Sequence, residues 1–383
     1  MSTTNGPLQG LLVLDLAQFL SGPSAALRLG DLGARVIKVE RPGGGDICRT
    51  LYLTDTDVGG DSTLFHAINR NKESLAIDLK NADDLAALKA LITRADVLIQ
   101  NFRPGVIERL GLGYEAVKTL NPRLVYAGVS GYGEDGPWVD LPGQDLLAQS
   151  LSGVTWLNGH EGEGPVPLGL SIADMLAGHV LTEGILAALV RRGISGEGAQ
   201  VQTSLLEALI DLQFEVLTTH LNDGRRVPTR AGFRNANAYL AAPYGIYPTR
   251  DGYLALAMMP LSQLAHTLPL PALNNYSAAD AFTQRDAIKR LIANTLAQHN
   301  TAHWLERLRP VDVWCAEVLD WPRLLQSPAF QRLHMLQTVQ RGDGTAVHTT
   351  STPVRINGQR AQSARAAPLV GEHSAVIRAE FGL

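Results

Sequence analysis

Short apolar runs alternate with amphipathic stretches through the first half of the chain. Residues 11–16 form an apolar run, LLVLDL, and a tight SGP turn, a helical stretch and a second apolar run, ARVIKVE, follow it. This spacing predicts strand, turn, helix and strand. The same pattern recurs as SLAIDL, a helical DDLAALKALITRA, DVLIQNF, a helical VIERLGLGYEAVKTL and RLVYAGVSGYG.

This alternation predicts the fold class. Short buried strands separated by helices are typical of parallel sheets with right-handed crossovers, in which helices cover both faces. We therefore predict an α/β fold with a large, doubly wound, Rossmann-like domain and a parallel sheet. The loops SGP, ERPGGGD, QNFRPG and SGYGEDGP follow the strands, so we expect them to line one crevice at the carboxyl edge of the sheet.

The pattern changes after about residue 210. Pro228, Pro243 and Pro248 interrupt regular structure, and we interpret residues 211–228 as a linker. A strand, GYLALAM, and helical stretches near residues 280–298 and 301–308 then predict a smaller mixed domain. Near the end of the chain, TAVHTTSTPVRI predicts a hairpin and EHSAVIRAEFG predicts a short helix.

Composition excludes several classes of protein. The 383 residues suffice for about two domains, and 45% hydrophobic residues, 18% charged residues and a net charge of -4 favour neither disorder nor a nucleic-acid interface. Cys48 and Cys315 lie far apart without metal-ligand spacing, which indicates no disulfide framework, no metal site and a reducing compartment. Because neither a signal-peptide pattern nor an uninterrupted apolar stretch of membrane length is found, we expect a cytoplasmic protein that binds no membrane.

The first strand, turn, helix and second strand resemble a dinucleotide-binding unit whose second strand ends in an acid, here Glu40. The turn offers only Gly22, followed by Pro23, where a pyrophosphate needs several glycines for close backbone approach. Glu40 is followed by Arg41 and PGGGD, which favours an anionic adenosine over a ribose hydroxyl. The pattern therefore disfavours a nicotinamide or flavin, and we expect no tightly bound cofactor.

Taken together, these segments resemble the family III CoA-transferases, the group that includes formyl-CoA transferase and the carnitine CoA-transferases. The resemblance covers nearly all of the first 210 residues and implies a large CoA-binding α/β domain built from both chain ends, residues 1–210 and 326–383. A smaller inserted α+β domain, residues 229–325, and an interlaced homodimer are also implied. The resemblance is carried by VLDLAQFLSGPSAALRLGDLGARVIKVERPGGGD, NRNKESLAIDLK, ADVLIQNFRPGVIERLGLGYEAVKTLNPRLVYAGVSGYGEDGP, PGQDLLAQSLSGV, APYGIYPTRDGYLALAM and APLVGEHSAVI.

Asp174 stands among apolar and small residues where a long helix begins, in LGLSIADMLAGHVLTEGILAALVRR. Aspartate is also a favoured helix N-cap, so the position alone is compatible with a structural role. The resemblance implies that Asp174 is the catalytic nucleophile, whose carboxylate attacks an acyl-CoA to form a mixed anhydride and then an aspartyl-CoA thioester. Because anhydrides hydrolyse readily, we expect the carboxylate in a pocket sheltered from water.

The resemblance also implies a set of CoA contacts. Arg41, Lys80 and Arg109 match positions that contact CoA in the formyl-CoA transferases, although each alone could be a solvated surface cation. Among the other matched positions, Phe102 and Tyr132 could equally be core aromatics. These other positions are Leu20, Ile77, Asn101, Phe102, Ser130, Gly131 and Tyr132.

The same family includes α-methylacyl-CoA racemases, which move an α-proton with acid and base residues. In those enzymes PGQDLLAQ typically carries histidine where this chain has Gln144, and an amide is no useful base near neutral pH. Asp145, the next residue, is expected to orient a loop or cap a helix. The residues favour a transferase acting on an acyl-CoA and a small carboxylic acid, with a racemase or a non-catalytic CoA-binding protein as alternatives.

The substrates themselves stay open at this point. The family's glycine run is absent from the corresponding segment AGFRNANAYLAAPYG, whose bulkier residues predict a less mobile loop and put the pairing of formyl-CoA with oxalate in doubt. Arg234 in this loop could hold the second carboxylate of a small dicarboxylate such as succinate. Arg225, Arg226 and Arg230 could do the same.

Overall fold

The computed structural model describes residues 6–363 and 365–383, which cluster into two compact units. The first unit comprises the described residues up to Ala148, Ser171–Asp211 and the described residues from Ala329 onward. The second comprises Gln149–Leu170 and Leu212–Pro328. Two segments thus differ from the predicted division into 1–210, a linker and 229–325, and the second unit ends three residues later than predicted, at Pro328.

The first difference is Gln149–Leu170, which we had placed in the large domain. This segment clusters with the second unit because its backbone is bonded to the loop near residue 230. The Glu161 amide donates to the Ala231 carbonyl at 3.1 Å, and the Asn235 side chain donates to the Gly159 carbonyl at 2.9 Å. Such contacts between residues about 75 positions apart cannot be read from local sequence pattern.

The second difference is the predicted linker, residues 211–228. It contains a helix, Phe214–Asn222, in which no residue is fully buried. The prolines on which the linker was predicted begin only at Pro228, so they do not interrupt this helix.

A six-stranded parallel sheet forms the centre of the first unit. Its strand order, β3-β2-β1-β4-β5-β6, is the one typical of dinucleotide-binding folds, and it reverses direction between β1 and β4. Strand β6 was absent from the predicted pattern because four of its six residues are polar. The strands are β1 Leu12–Asp15, β2 Arg35–Glu40, β3 Lys72–Ala76, β4 Val97–Gln100, β5 Val125–Ser130 and β6 Ala199–Ser204.

Side chains of the sheet alternate between two separate apolar cores. Val13 of β1 and Val97 of β4 belong to one core, together with residues of the first and the longest helices. Leu12, Leu14 and Leu98 belong to the other, which includes helix residues from elsewhere in the first unit. Because strand side chains alternate in direction, two cores require helices on both faces, which is the doubly wound arrangement that the sequence predicted.

Helices connect and cover the strands. Gly111, with a φ of +68°, separates α4 from α5, so the predicted helix VIERLGLGYEAVKTL is two helices. The helices are α1 Ser21–Asp31, α2 Thr63–Asn69, α3 Ala82–Ile92, α4 Val106–Arg109, α5 Tyr114–Leu120, α6 Asp145–Ser152, α7 Ile172–Ser195, α8 Leu205–Leu212, α9 Phe214–Asn222, α10 Leu261–Thr267, α11 Asp280–Thr283, α12 Arg285–Leu296, α13 Thr301–Leu308, α14 Trp321–Gln326, α15 Pro328–Gln331 and α16 Ser374–Phe381.

Helix α7, with 24 residues, is long and apolar enough to cross a membrane by length and composition alone. A core helix of a globular unit meets the same criterion. Its residues Ala173, Ala177, Leu181 and Ile185 are buried in the apolar core beside β1, β4 and β5. We therefore interpret α7 as a core helix.

The second unit has its own antiparallel sheet, in the order β9-β8-β7, and its own apolar core. Tyr247 of the sheet and Trp304 of α13 are fully buried there. A hairpin near the end of the chain belongs to the first unit, but its strand AVHTT pairs with the preceding Leu336–Gln340 and not within TAVHTTSTPVRI as predicted. These strands are β7 Gly245–Pro248, β8 Tyr253–Leu256, β9 Cys315–Glu317, β10 Leu336–Gln340 and β11 Ala346–Thr350.

Minor elements complete the described chain. Two-residue ladders pair Asp57–Val58 with Asp61–Ser62 and Arg355–Ile356 with Gln359–Arg360. The 3-10 turns are Ile47–Thr50, Val154–Trp156, Pro271–Asn275 and Arg309–Val311.

Candidate active site

A cavity of about 470 Å³ lies at the carboxyl edge of the parallel sheet. Loops that follow β1, β4 and β5 form its walls, so it occupies the point where the strand order reverses. Ligands of open α/β sheets bind at this position. The lining residues are Phe19, Ser21, Leu51, Asn101, Phe102, Arg103, Pro104, Val129, Ser130, Gly131, Val139, Leu141, Pro142, Gly143, Gln144, Asp145, Leu146, Asp174 and Leu205.

The cavity brings together part of the predicted site. The predicted nucleophile lines it together with four of the predicted CoA contacts, which are Asn101, Phe102, Ser130 and Gly131. The other predicted residues are absent from the described lining. These are Leu20, Arg41, Ile77, Lys80, Arg109 and Tyr132.

Asp174 is the third residue of α7, which begins at Ile172 after the N-cap Ser171. Asp174 therefore does not cap its own helix, and the capping role considered for it is wrong. The cap is supplied by Asp145: its Oδ1 accepts the Ala173 amide at 2.7 Å and the Asp174 amide at 3.3 Å. A carboxylate at a helix N-terminus satisfies amides that have no partner within the helix and is favoured by the helix dipole.

The environment of Asp174 changes the acidity of its carboxyl group. Burial in the cavity wall and, secondly, the negative charge of Asp145 raise the pKa of Asp174 to about 6, while a hydrogen bond from the Ser21 side chain opposes them. At neutral pH the group is therefore mainly a carboxylate that is more basic than an exposed aspartate. A half-buried carboxylate of this kind is suited to nucleophilic attack on a carbonyl carbon.

Gly178 allows α1 and α7 to approach closely one turn beyond Asp174. A Cβ atom at Gly178 would lie 2.1 Å from the Ser24 Oγ and 2.7 Å from the Ser21 carbonyl oxygen, both on α1. Glycine in a helix interior is unfavourable by about 1 kcal/mol relative to alanine, so its presence here serves the packing. This close contact places Ser21, the first residue of α1, beside Asp174.

Sequence reasoning missed Ser21 and Gly178 as site residues, although signals for both were present. Ser21 lies in the SGP turn after the first strand, which is where the fold places ligand contacts. Gly178 is an interior helix glycine four residues after the candidate nucleophile, and therefore lies on the same helix face. The spacing between Asp174 and Gly178 was sufficient to find the second residue.

Three of the predicted CoA contacts also hold the loops that form the walls of the cavity. The Asn101 side chain pairs with the backbone of Gln18, accepting from its amide at 2.9 Å and donating to its carbonyl at 2.7 Å. A Cβ atom at Gly131 would lie 2.7 Å from the Gly143 Cα, so the two ends of the loop that begins at Gly131 meet backbone to backbone. Tyr132 closes the same loop because its hydroxyl donates to the Pro142 carbonyl at 3.0 Å.

Arg41, Lys80 and Arg109, the predicted phosphate contacts, are exposed. Arg41 directly follows β2, and Lys80 lies in the loop that follows β3. Arg109 ends α4, the helix that follows β4. All three therefore lie in segments that follow strands at the same edge of the sheet as the cavity. Arg103 is the positively charged residue in the described lining of the cavity, and it was not among the predicted CoA contacts.

The remaining two predicted contacts take part in local packing. Leu20 packs against the small apolar cluster that contains Cys48 and Phe65. Ile77 is buried, and its amide donates to the Glu40 carbonyl at 2.8 Å, which extends the pairing of β2 and β3.

Glu40 ends β2 where a dinucleotide-binding fold carries its ribose acceptor. Its carboxylate here is occupied by other partners in the chain: Arg49 donates to both oxygens at 2.7 and 2.8 Å, the Asp46 amide donates at 2.9 Å, and the Ser74 hydroxyl donates at 2.7 Å. A ribose would have to displace these bonds. The structure thus gives a physical reason for the sequence-based argument against a dinucleotide.

A buried group of charges supports the first loop of the cavity. The Lys38 ammonium donates to the Ala17 carbonyl at 2.9 Å and lies 2.7 Å from an Asp46 carboxylate oxygen. Lys72 donates to the Asp15 carboxylate at 2.8 Å. The Asp46 carboxylate also accepts from the amide of Phe19, whose φ of 62° is uncommon for a residue other than glycine. These charged side chains therefore hold a strained turn in place at the rim of the cavity.

The loop AGFRNANAYLAAPYG in the second unit is held by helix α12. The Asp286 carboxylate accepts from the Gly232 amide at 3.0 Å, and the Lys289 ammonium donates to the Arg234 carbonyl at 2.8 Å. Arg285 donates to three further backbone carbonyls in or beside this loop. These bonds attach the loop to α12, while the lower mobility expected from its lack of a glycine run stays a prediction. Burial, and secondly the charge of Arg285, lower the pKa of Lys289 to about 8.

Comparison with known proteins identifies the family. The model of CoA-transferase family III matches residues 8–374. Acetyl-CoA:oxalate CoA-transferase from Acetobacter aceti is 33% identical over 98% of this chain and 96% of its own, and succinate--glutarate CoA-transferase from Agrobacterium fabrum is 30% identical over 100% and 97%. The crystal structure of a CaiB/BaiF family protein from Brucella suis, 29% identical, matches with a TM-score of 0.85 over 98% of this chain and 99% of that one. This chain therefore belongs to CoA-transferase family III, as its motifs predicted.

Proposed function

We propose that this protein transfers CoA from an acyl-CoA to a carboxylic acid through covalent intermediates on Asp174. The family and the relatives that are named CoA-transferases support this reaction class. The observation that supports the covalent route is the position of Asp174: a carboxylate with a raised pKa lines the cavity at the carboxyl edge of the sheet. The described lining contains neither cysteine nor lysine, and the serine hydroxyls in it are those of Ser21 and Ser130.

Transfer of CoA through Asp174 takes four steps. The Asp174 carboxylate attacks the thioester carbonyl carbon, the C–S bond breaks, and CoA leaves as the thiolate. The thiolate attacks the Asp174 acyl carbon of the mixed anhydride, which releases the donor acid as a carboxylate and leaves aspartyl-CoA. The acceptor carboxylate then attacks aspartyl-CoA and expels the thiolate, and the thiolate finally attacks the acceptor's acyl carbon. The last step forms the new acyl-CoA and restores Asp174.

Each tetrahedral intermediate carries an oxyanion that needs hydrogen-bond donors. Helix α1 begins at the cavity with Ser21, and its N-cap residue, Leu20, makes no side-chain capping bond. Amides at a helix start donate to anions and are favoured by the helix dipole. We assign this role to the amides of Ser21 and Gly22 in α1, because the corresponding amides of α7 are already bonded to Asp145.

The racemase alternative requires an acid and a base on opposite sides of an α-carbon. The described lining contains two carboxyl groups, those of Asp145 and Asp174, and Asp145 is bonded to the α7 amides. Gln144 lies in the cavity wall where a histidine would serve as base. A transferase mechanism with one nucleophile is therefore better supported than two-base proton transfer.

We further propose that the acid substrate is a small dicarboxylate. The relatives from Acetobacter aceti and Agrobacterium fabrum are named for oxalate, succinate and glutarate, all of which are dicarboxylates. A panel that pairs succinyl-CoA and acetyl-CoA with dicarboxylic and monocarboxylic acids of equal chain length tests this proposal. Higher kcat/KM for the dicarboxylic member of each pair supports it, and equal values reject it.

Trapping the covalent intermediate tests the mechanism directly. The protein is incubated with an acyl-CoA and hydroxylamine, which converts an aspartyl thioester or anhydride to an aspartyl hydroxamate. We expect mass spectrometry to find this hydroxamate on the peptide that contains Asp174. Omitting the acyl-CoA is the control. Turnover with no label on this peptide, or with label on another residue, would contradict the mechanism.

The CoA contacts predicted from the motifs give a second expected result. We propose that Arg41, Lys80 and Arg109 hold the phosphates of CoA. Replacing Arg41 with alanine should then raise KM for acyl-CoA about 5- to 150-fold with little change in kcat, since one charged hydrogen-bonding group contributes roughly 1–3 kcal/mol to binding of ground and transition state alike. Arg94, an exposed arginine that precedes β4 and therefore lies at the opposite, amino edge of the sheet, serves as the control for loss of an arginine charge. A lowered kcat at unchanged KM would exclude a binding role.

We also propose a cytoplasmic homodimer, as the resemblance implies. Large apolar side chains are exposed on this chain, including Val190 and Ile194 of α7 at 71% and 77% and Trp321 at 79%. Exposed apolar side chains of this size support burial against a partner chain.

A further inference from the structure

We infer that Asp145 is a positioning residue for the reaction: it holds the first turn of α7 and keeps a second negative charge beside the nucleophile. This inference rests on the proposed function of Asp174. It concerns a residue that the sequence suggested only as a loop or helix-capping aspartate. Two independent features of the structure carry it.

The first feature is the hydrogen-bond geometry. Asp145 is the first residue of α6, yet its Oδ1 accepts the amides of Ala173 and Asp174, which are 28 and 29 residues away in sequence. One of these is the amide of the nucleophile itself. The native N-cap of α7, Ser171, makes no side-chain capping bond. The start of α7, and with it the backbone of Asp174, is therefore held by a side chain from another helix.

The second feature is the set of groups around the Asp174 carboxyl. From α1, the Ser21 hydroxyl lies close enough to stabilise its charged form; from α6, Asp145 faces it with a like charge; and from the turn Ile47–Thr50, Cys48 is close enough to be affected by its charge. Burial raises the pKa of the Cys48 thiol to about 12, so this group is neutral during the reaction. Of the described groups around the Asp174 carboxyl, Asp145 is therefore the one that contributes a negative charge.

The negative charge of Asp145 changes the relative stability of the free enzyme and the covalent intermediates. In the free enzyme the carboxylates of Asp145 and Asp174 repel each other, whereas in the anhydride and in aspartyl-CoA the acylated Asp174 is neutral. Acylation therefore relieves the repulsion, and Asp145 favours the covalent intermediates over the free enzyme. The same repulsion makes the carboxylate more basic and hence a better nucleophile.

The test compares Asp145→Asn with Asp145→Ala. Asparagine retains an oxygen that can accept the α7 amides but removes the charge, whereas alanine removes both. We expect the acidic limb of the kcat/KM profile to lie near pH 6 in the unchanged protein and to move to lower pH by about 0.5–1 pH unit in both variants. The activity at the plateau should fall about 3- to 10-fold in Asp145→Asn and further in Asp145→Ala.

Ser21→Ala provides a control in which the acidic limb should move in the opposite direction. Its hydroxyl stabilises the charged form of Asp174, so its removal should move the acidic limb to higher pH. A purely structural role for Asp145 would lower the plateau in Asp145→Ala, restore it in Asp145→Asn and leave the limb unmoved in both, and this result would overturn the inference. Hydroxamate formation on Asp174 in the unchanged protein is measured in parallel. Its absence rejects the proposed function, while its presence with an unmoved limb rejects only the role of Asp145.

Discussion

Replacing Asp174 with alanine or asparagine should reduce CoA transfer by at least about 10³-fold, because the cycle loses the atom that carries the acyl group and the CoA. Binding of acyl-CoA should persist, since neither change alters the predicted phosphate contacts. Steady-state kinetics and calorimetric titration with CoA measure the two effects. An active Asp174→Ala variant would refute the covalent route through this residue.

The same replacement should change stability in a pH-dependent way. The folded-state pKa of Asp174, about 6, lies above the ordinary value of 3.8, so folding favours the protonated form. The ionised carboxylate therefore destabilises the fold above pH 6, and this cost disappears below about pH 4. Asp174→Asn should then be more stable than the unchanged protein at pH 8, by at most about 3 kcal/mol and less where solvent reaches the half-buried group.

Urea denaturation at pH 8 and pH 4.5 checks this expectation. The advantage of Asp174→Asn should shrink or vanish at the lower pH. A loss of activity accompanied by a loss of stability at both pH values would instead indicate that the variant is misfolded, and the kinetic result would then say nothing about the nucleophile. The pair of measurements therefore separates catalysis from folding.

Replacing Gly178 with alanine should impair both folding and activity. The added methyl would meet the Ser24 Oγ at 2.1 Å and the Ser21 carbonyl oxygen at 2.7 Å, and the latter is backbone that cannot rotate away. Helix α1 would have to move from α7, at a cost of about 1–3 kcal/mol. Because Ser21 and Asp174 lie on the two helices, a displacement near 1 Å should lower kcat roughly 10²-fold.

Gly193 offers a matched control in the same helix. A Cβ atom at Gly193 would have no neighbour within 4 Å, so Gly193→Ala should stabilise the protein by up to about 1 kcal/mol through helix propensity alone and leave kcat unchanged. Denaturation midpoints and kcat of both variants are measured together. Equal behaviour of the two variants would mean that the close contact of α1 and α7 has no special role.

Much of the fold was predictable because hydrophobic periodicity acts locally. The short apolar runs of β1, β2, β4 and β5 were identified from pattern alone, and their alternation with helices predicted a parallel, doubly wound sheet. Strand β6 was not identified because Ala199–Ser204 includes polar residues at an edge of the sheet. The assignment of Gln149–Leu170 to the second unit depends on hydrogen bonds with residues near position 230, which no local pattern encodes.

The candidate site was predictable to a smaller extent. Motifs identified Asp174 and the loops that meet at the cavity, since the carboxyl ends of parallel strands lie at one edge. They could not show that Asp145 caps α7, because that bond joins residues 28 positions apart. Nor could they show that Glu40 is already bonded to Arg49, which disfavours a ribose contact at this residue.

The sequence by itself determined the family, the α/β class and the carboxylate on which the proposed chemistry depends, because residue order and periodicity are sufficient for these. Only the tertiary structure decided how acidic that carboxylate is. Its pKa depends on burial, on the charge of Asp145 and on the hydroxyl of Ser21, three influences that come from segments far apart in the chain and act only at the short distances that folding creates.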